Sequence, residues 1–345
     1  MDADDSGLEE LADFHRRLSE MSTAEIINSI GVLSDMELED DEKGVLEELM
    51  VEELVKQDPK LVLETFVGRL GDEDDPVAWQ LPTAFAEWLI EDPLTAEAWF
   101  DRRISEGAFE TRTLDDLSEM RLAFEVELVG SLLSYDLDGA RGRIAALPQD
   151  QRREALESVS FADLGAGVLQ DYAALVRELV PRDQQAGSLS SVVCDLTLDG
   201  GYEKVESFLD DIQATSEERA VSATEAAVSR LQAITTERAI SAGDVEEMRL
   251  WLDRQAPGTT DRVTGGAIAD AAQEGGEEFD FAAASELVLS YHNTTGNDEV
   301  LVAFLESDVA HSNLNEACSL AEGITDPMLR NEILDGLRLQ VSRDR

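Results

Sequence analysis

The chain has 345 residues, 43% of them hydrophobic and 6% aromatic, and its 76 acidic residues against 27 basic ones give a formal net charge of −49. So much apolar side chain excludes a disordered polymer, and 2 cysteines make no disulfide framework. Without a basic stripe there is nothing to displace counterions from nucleic acid or to dock on an anionic membrane, and neither partner is expected.

Residues 1–21 read as an acidic lead-in and a first amphipathic helix through Leu8, Leu11, Phe14 and Leu18. The opening Met1-Asp2-Ala3-Asp4-Asp5 has neither a positive stretch nor an apolar one. No secretory leader is expected unless one was removed before Met1, so the default compartment is cytoplasmic. No apolar run approaches the roughly 20 residues that span a bilayer. From residue 22 to 345 the chain reads as one continuous domain. It begins with Ser22-Thr23-Ala24-Glu25, a capping box ahead of Ile26, Ile27 and Ile30. After the acidic run from Glu37 to Glu42 comes a strong helix bearing Val45, Leu46, Leu49 and Leu54.

Then a phrase begins to repeat. Asp58-Pro59 recurs 34 residues later as Asp92-Pro93. Aspartate can bond unpaired amides of a first helical turn and complements the positive end of the helix dipole, and proline is tolerated at the first helical position. Four and eight residues after each opener stand apolar side chains: Val62 and Phe66, then Ala96 and Phe100. The same register follows Asp136 (Ala140, Ile144), Asp171 (Leu175, Leu179), Gly201 (Val205, Leu209), Asp244 (Met248, Leu252) and Asp280 (Ala284, Val288). Residues one and two turns apart share a helix face, so each unit carries one apolar stripe that it cannot bury alone. Opener spacings run from 30 to 44, which puts insertions at Ser105–Leu117 and Ala233–Gly243. Arginines follow the turns between pairs, at Arg152, Arg219, Arg262 and Arg330. Each is expected to tie to a carboxylate on the adjacent repeat.

From about residue 22 to 340 these features resemble the α-solenoid helical-repeat proteins, with tetratricopeptide-like and HEAT-like arrays nearest. The residues that carry the resemblance are Asp58-Pro59, Asp92-Pro93, Ala96, Trp99, Ala140, Leu147-Pro148, Arg152 and Asp326-Pro327. Trp88-Leu89-Ile90-Glu91-Asp92-Pro93-Leu94-Thr95-Ala96 is similar to the Trp-x-x-x-Asp-Pro-x-x-Ala units of uncharacterised bacterial repeat proteins. The resemblance implies an all-α fold, a right-handed α-solenoid of about eight to nine antiparallel helix pairs.

Chemistry is thin. His15, His292 and His311 have no metal-binding spacing and read as surface or helix-end residues. No phosphate loop or nucleophile elbow is present. Cys194 and Cys318 read as free, small and buried. Gly71-Asp72-Glu73-Asp74-Asp75 is carboxylate-dense but lacks the alternation of a calcium loop. Trp79, Trp88, Trp99 and Trp251 read as core side chains, not a sugar platform. No catalytic, cofactor-binding or metal-binding residue is therefore assigned, and no cofactor is expected. The expected function is a non-catalytic protein–protein interaction scaffold whose acidic surface suits a protein partner, a basic protein being one such partner. The alternatives are an α/α-barrel carbohydrate-active hydrolase and an acidic decoy or chaperone for a basic protein. Abundant carboxylate with only Lys43, Lys56, Lys60 and Lys204 also suits a salty medium.

Overall fold

Each aspartate–proline opener is a corner at which one residue ends a helix and starts the next. The Asp58 N–H donates to the Leu54 carbonyl at 2.8 Å, while its side chain accepts from the Leu61 N–H at 2.9 Å. Asp92 does the same with Trp88 and Thr95, and Asp136 with Leu132 and Gly139. All three share one extended conformation, φ between −155° and −142° with ψ between 77° and 80°. At Asp58 and Asp92 no loop intervenes, so the two helices are joined as tightly as a chain allows, whereas at Asp136 a turn of Ser134 and Tyr135 comes first.

The structure is a computed structural model that describes residues 14–33, 35–72, 75–109, 118–159, 166–275 and 279–343. Among these it is all-helical, with nineteen α-helices and no strand. It divides into two compact units, 1–159 and 160–345.

In the first unit α1 covers 14–19, α2 Thr23–Leu33, α3 Asp40–Gln57, α4 Pro59–Phe66, α5 Leu81–Glu91, α6 Pro93–Ser105, α7 Glu119–Leu133, α8 Leu137–Ala146 and α9 Gln149–Glu157. The box expected at Ser22 is present, with the Ser22 N–H donating to Glu25 at 2.9 Å. Helices α3, α5, α7 and α9 pack on one another in series, and the opener helices α4, α6 and α8 flank that row. Burial follows from this. Helix α7 is covered on more than one side and buries nine residues, including Met120, Phe124, Leu128 and Val129, whereas flanking α8 buries only Ala140 and Ile144. Phe85, Phe100, Phe109 and Phe124 meet at ring distances of 5.0 to 5.5 Å where row and flank join.

In the second unit α10 covers Ala166–Leu179, α11 Gln185–Asp211, α12 Ser216–Thr235, α13 Ala242–Gln255, α14 Thr260–Glu274, α15 Phe281–Thr295, α16 Glu299–Leu305, α17 Asp308–Ser312, α18 Leu314–Ala321 and α19 Pro327–Arg343. Here α12, α14, α16 and α18 form the series, and α11, α13 and α15 flank it. Helices α14 and α16 cross closely at Gly265, where a Cβ would lie 2.2 Å from the Val300 carbonyl oxygen. Gly201 sits at φ 64°, in the left-handed region, and breaks α11 so that its second half becomes the flanking helix.

Thirteen of the fourteen apolar residues read from the openers are buried; Leu179 is half-buried. Three openers behave differently from the reading. Asp171 lies within α10 and starts nothing, which is why its second stripe position reaches the surface. Asp244 is third in α13 and reaches back to the true cap, Ser241, whose N–H donates to it at 2.8 Å. Gly201 restarts a broken helix instead of capping a new one. Arg152 is a correction too: its guanidinium donates to the carbonyls of Leu147 (3.0 Å) and Ala145 (2.8 Å), not to a carboxylate. Helix ends leave carbonyls without intrahelical donors, and Arg152 satisfies those of α8. Arg219 combines both roles, reaching the Leu209 carbonyl, Asp210 and Gln255. Arg262 pairs with Glu306 at 2.6 Å as a carboxylate tie.

Leu8 and Leu11, residues 73–74 of the acidic turn, 110–117 of the first insertion and the ends 1–13 and 344–345 lie outside the described residues. The second insertion is the short turn after α12, held by Arg238 gripping Asp244 at 2.7 and 2.8 Å.

Candidate docking groove

Four times in the first unit a cation sits near an aromatic ring with carboxylates beside it. Arg143 lies 5.8 Å from the Phe100 ring and pairs with Asp101 (2.5 Å) and Glu97 (3.1 Å). Arg69 lies 5.3 Å from Phe66 and pairs with Glu47 (2.5 Å) and Asp75 (3.3 Å). Arg103 joins Trp99 and Glu106, and Lys60 joins Trp88 and Glu64. The ring's negative face and the carboxylate oxygens attract the same positive group. Buried Glu125 belongs to this pattern: burial pushes its carboxyl up, against the pull of Arg143 and Arg121.

A fifth ring with carboxylates lines an open groove of about 420 Å³ formed by Trp79, Glu119, Leu122, Ala123, Val126, Glu127, Glu154 and Ser158. The helical repeat builds it. Residues 119, 122, 123, 126 and 127 recur three and four apart, so they share one face of α7. Glu119 and Glu127 stand at the two ends of that stripe, and Leu122 and Val126 form the floor. Beneath the floor those two side chains pack with Leu147 and Ala155 as a buried apolar cluster. Glu154 on α9 and Ser158, the residue that ends that helix, make one wall.

Trp79 makes the other wall from a 3₁₀ turn, Ala78–Gln80, ahead of α5. That turn is pinned from several sides. Asp75 accepts from the Val77 N–H at 2.9 Å and is gripped by Arg69, while the Gln80 side chain donates to the Glu48 carbonyl at 3.0 Å. Val77 and Ala78 are buried and anchor the turn, leaving Trp79 42% exposed. The expectation that all four tryptophans are core therefore fails at Trp79, while Trp88, Trp99 and Trp251 are buried. The reason is position: Trp79 belongs to a turn and not to a helical stripe.

Glu127 is the unusual carboxylate of the groove. It is half-buried, and burial raises its carboxyl above the ordinary glutamate value. Among the described residues no basic side chain forms an ion pair with Glu119, Glu127 or Glu154. Arg153 on α9 pairs with Glu157, and Arg121 on α7 with Glu125. The sequence contained one signal for this, two glutamates eight residues apart with apolar residues between them. So many carboxylates surround it that the signal does not stand out.

The second unit has a groove of about 350 Å³ between flanking helices α13 and α15, lined by Val245, Arg249, Leu287 and Tyr291 among others. Its polar groups are already engaged: Arg249 by Glu246 and Asp253, and the Tyr291 hydroxyl by Asp261. Another hollow, of about 400 Å³, lies by Phe281 and Asn313.

The histidines divide. His15 is exposed and His311 half-buried, while His292, in the last turn of α15, is buried and bonds Asp298 at 2.9 Å. Asp298 also accepts from the N–H groups of Thr325 and Asp326, both at 2.8 Å, which fixes the start of α19. Burial alone would raise the Asp298 carboxyl, but these bonds hold it below its ordinary value. Cys194 and Cys318 are free and half-buried. Among the described residues no three histidine, cysteine, aspartate or glutamate side chains gather to hold a metal ion, and no helix is long and apolar enough to cross a membrane. No family model, curated protein or solved structure matches the chain.

Proposed function

We propose that the chain is a non-catalytic protein–protein interaction scaffold. Its helix pairs would stack as a right-handed α-solenoid of about eight to nine antiparallel units, in the manner of tetratricopeptide-like and HEAT-like arrays. Support for the stacking comes from the alternation of rows and flanks: within each unit every helix packs chiefly on near neighbours in sequence, as quasi-one-dimensional repeats do. The observation that carries the function is the groove of the first unit, a partly apolar trough lined by Trp79 and by glutamates that, among the described residues, form no ion pair. Concave sites of mixed apolar and polar lining are where recognition concentrates, and a surface with this excess of carboxylate favours a basic partner.

Affinity capture of the tagged chain from its native organism, at matched ionic strength, tests this. A protein that co-purifies stoichiometrically and rebinds in purified form is the expected result. Absence of any such protein, together with turnover of an oligosaccharide by the purified chain, would replace the scaffold with a hydrolase.

A further inference from the structure

We propose that the edge of the first unit bearing Ile90 and Leu94 docks on the same edge of a second copy of this chain, about a twofold axis. The edge joins the Asp58, Asp92 and Asp136 corners. Lys60, in the first turn of α4, lies 5.5 Å from the Trp88 ring in the last turn of α5, which sets the Asp58 corner beside the Asp92 corner. Arg143 of α8 bonds Glu97 and Asp101 of α6 at 3.1 and 2.5 Å, which sets the Asp136 corner next along. The connections from α4 to α5 and from α6 to α7 leave from the far ends of these helices, about 12 and 20 Å away at 1.5 Å per residue.

Each corner gives the same two positions to solvent, two residues before and two after its aspartate. At Asp58 they hold Lys56 and Lys60, and at Asp136 Ser134 and Asp138, all exposed. At Asp92 they hold Ile90 and Leu94, 78% and 71% exposed, and Tyr135 beside Asp136 continues the apolar exposure at 49%. The sister corners form with charged or polar side chains in these places, so the two aliphatic ones serve no need of the fold. Apolar exposure gathered on a charged edge marks a contact. Charge then selects the partner. Along the edge run two of the chain's four lysines, then Ile90 and Leu94, then Asp136 and Asp138. Packed helices lie roughly 8 to 10 Å apart, so the two charged pairs stand about one step to either side of the middle. A twofold axis through the middle corner reverses that order: Ile90 and Leu94 meet their own counterparts, and the lysines of each copy face the aspartates of the other. An isologous contact needs this self-complementarity, whereas a basic protein would meet lysines of like charge. Lys56 and Asp138 hold exposed intrachain partners, Glu52 and Arg141, and exposed pairs contribute little, so exchanging them across the axis costs little. Glu91 and Asp92, exposed at the middle corner, and the net charge of −49 per copy oppose the contact, so it should need salt.

Sedimentation equilibrium of the full chain across sodium chloride concentrations tests this. At about 0.1 M salt, self-repulsion should hold the chain monomeric at micromolar concentration. At about 1 M, where the Debye length is about 3 Å, a monomer–dimer equilibrium at least about tenfold tighter should appear. Ile90→Ser combined with Leu94→Ser should weaken it at least about tenfold and leave the melting temperature in place, because both side chains are exposed. At the lowest salt that supports the dimer, Lys56→Glu and Asp138→Lys should each weaken association. The chain carrying both should recover it, since the exchanged charges then face each other across the axis. Asp138→Lys also lowers the net charge, so a contact governed by overall repulsion would tighten with it instead.

A chain that stays monomeric at every salt concentration would overturn the proposal and leave the scaffold standing. So would association untouched by Ile90→Ser with Leu94→Ser, or tightened by Asp138→Lys. Growth past the dimer would mean a head-to-tail contact and overturn it too. A different protein captured by the monomeric chain, and lost with Ile90→Ser and Leu94→Ser, would assign the edge to that protein instead.

Discussion

Two glutamates show how one residue type takes opposite parts in this fold. Glu218 caps α12 from inside, accepting from the Thr215 N–H at 2.7 Å, and is gripped by both arms of Arg177 at 2.8 and 2.9 Å. Burial alone would raise its carboxyl, but these bonds outweigh that and hold it below the ordinary value. Its stabilisation is therefore present above the unfolded-state value and lost as pH falls through the lower folded one. Glu127 is raised by burial, so its ionised form costs stability at neutral pH and the cost disappears as pH falls through its raised value. Glu218→Gln should lower the melting temperature at pH 7 and Glu127→Gln should raise it, with both differences vanishing in acid; melting curves across pH check the signs. Phe100 belongs at this scale as well. It is fully buried among Phe85, Phe109 and Phe124, so Phe100→Ala should cost about 3 to 5 kcal/mol in chemical denaturation. A loss below about 1 kcal/mol would mean the aromatic cluster is not formed.

At the level of helices, the corners explain why the repeat could be read at all. Asp58 and Asp92 each end one helix and cap the next, and Asp136 caps α8 in the same backbone conformation after a two-residue turn, which leaves a visible phrase. The stripe follows from helical period alone, which is why Val62, Ala96, Ile144 and Leu209 are buried as read. Reading fails where position along the helix matters: Asp171 in mid-helix has the same local letters as a cap, and Asp244 hides the cap three residues before it. Arg152 was illegible for a different reason, since main-chain carbonyls leave no trace in sequence. The groove was less legible still. Its indole comes from a turn fixed by Arg69 and Gln80 through distant partners, and its acids come from two helices. Close crossing is another element-scale property. Gly265→Ala would drive a methyl into the Val300 carbonyl and prise α14 from α16, at a cost of roughly 1 to 3 kcal/mol in chemical denaturation. An unchanged denaturation midpoint would show that the two helices are further apart.

For the molecule as a whole, the charge is given and the stacking is proposed. A formal net charge of −49 repels itself, and the Debye length shortens from about 10 Å at 0.1 M salt to about 3 Å at 1 M. The melting temperature should therefore climb as sodium chloride is added; a flat or falling trend would mean that internal pairs such as Arg69–Glu47 and Arg143–Asp101 matter more than the repulsion. Stacking is the premise of the proposed scaffold, because helix pairs joined in series expose a long surface and a closed barrel does not. Small-angle X-ray scattering tests that premise most directly. A compact body of 345 residues would have a radius of gyration of about 20 Å. The proposed array should give a clearly larger value and an asymmetric distance distribution, and a value near 20 Å with a symmetric distribution would contradict it.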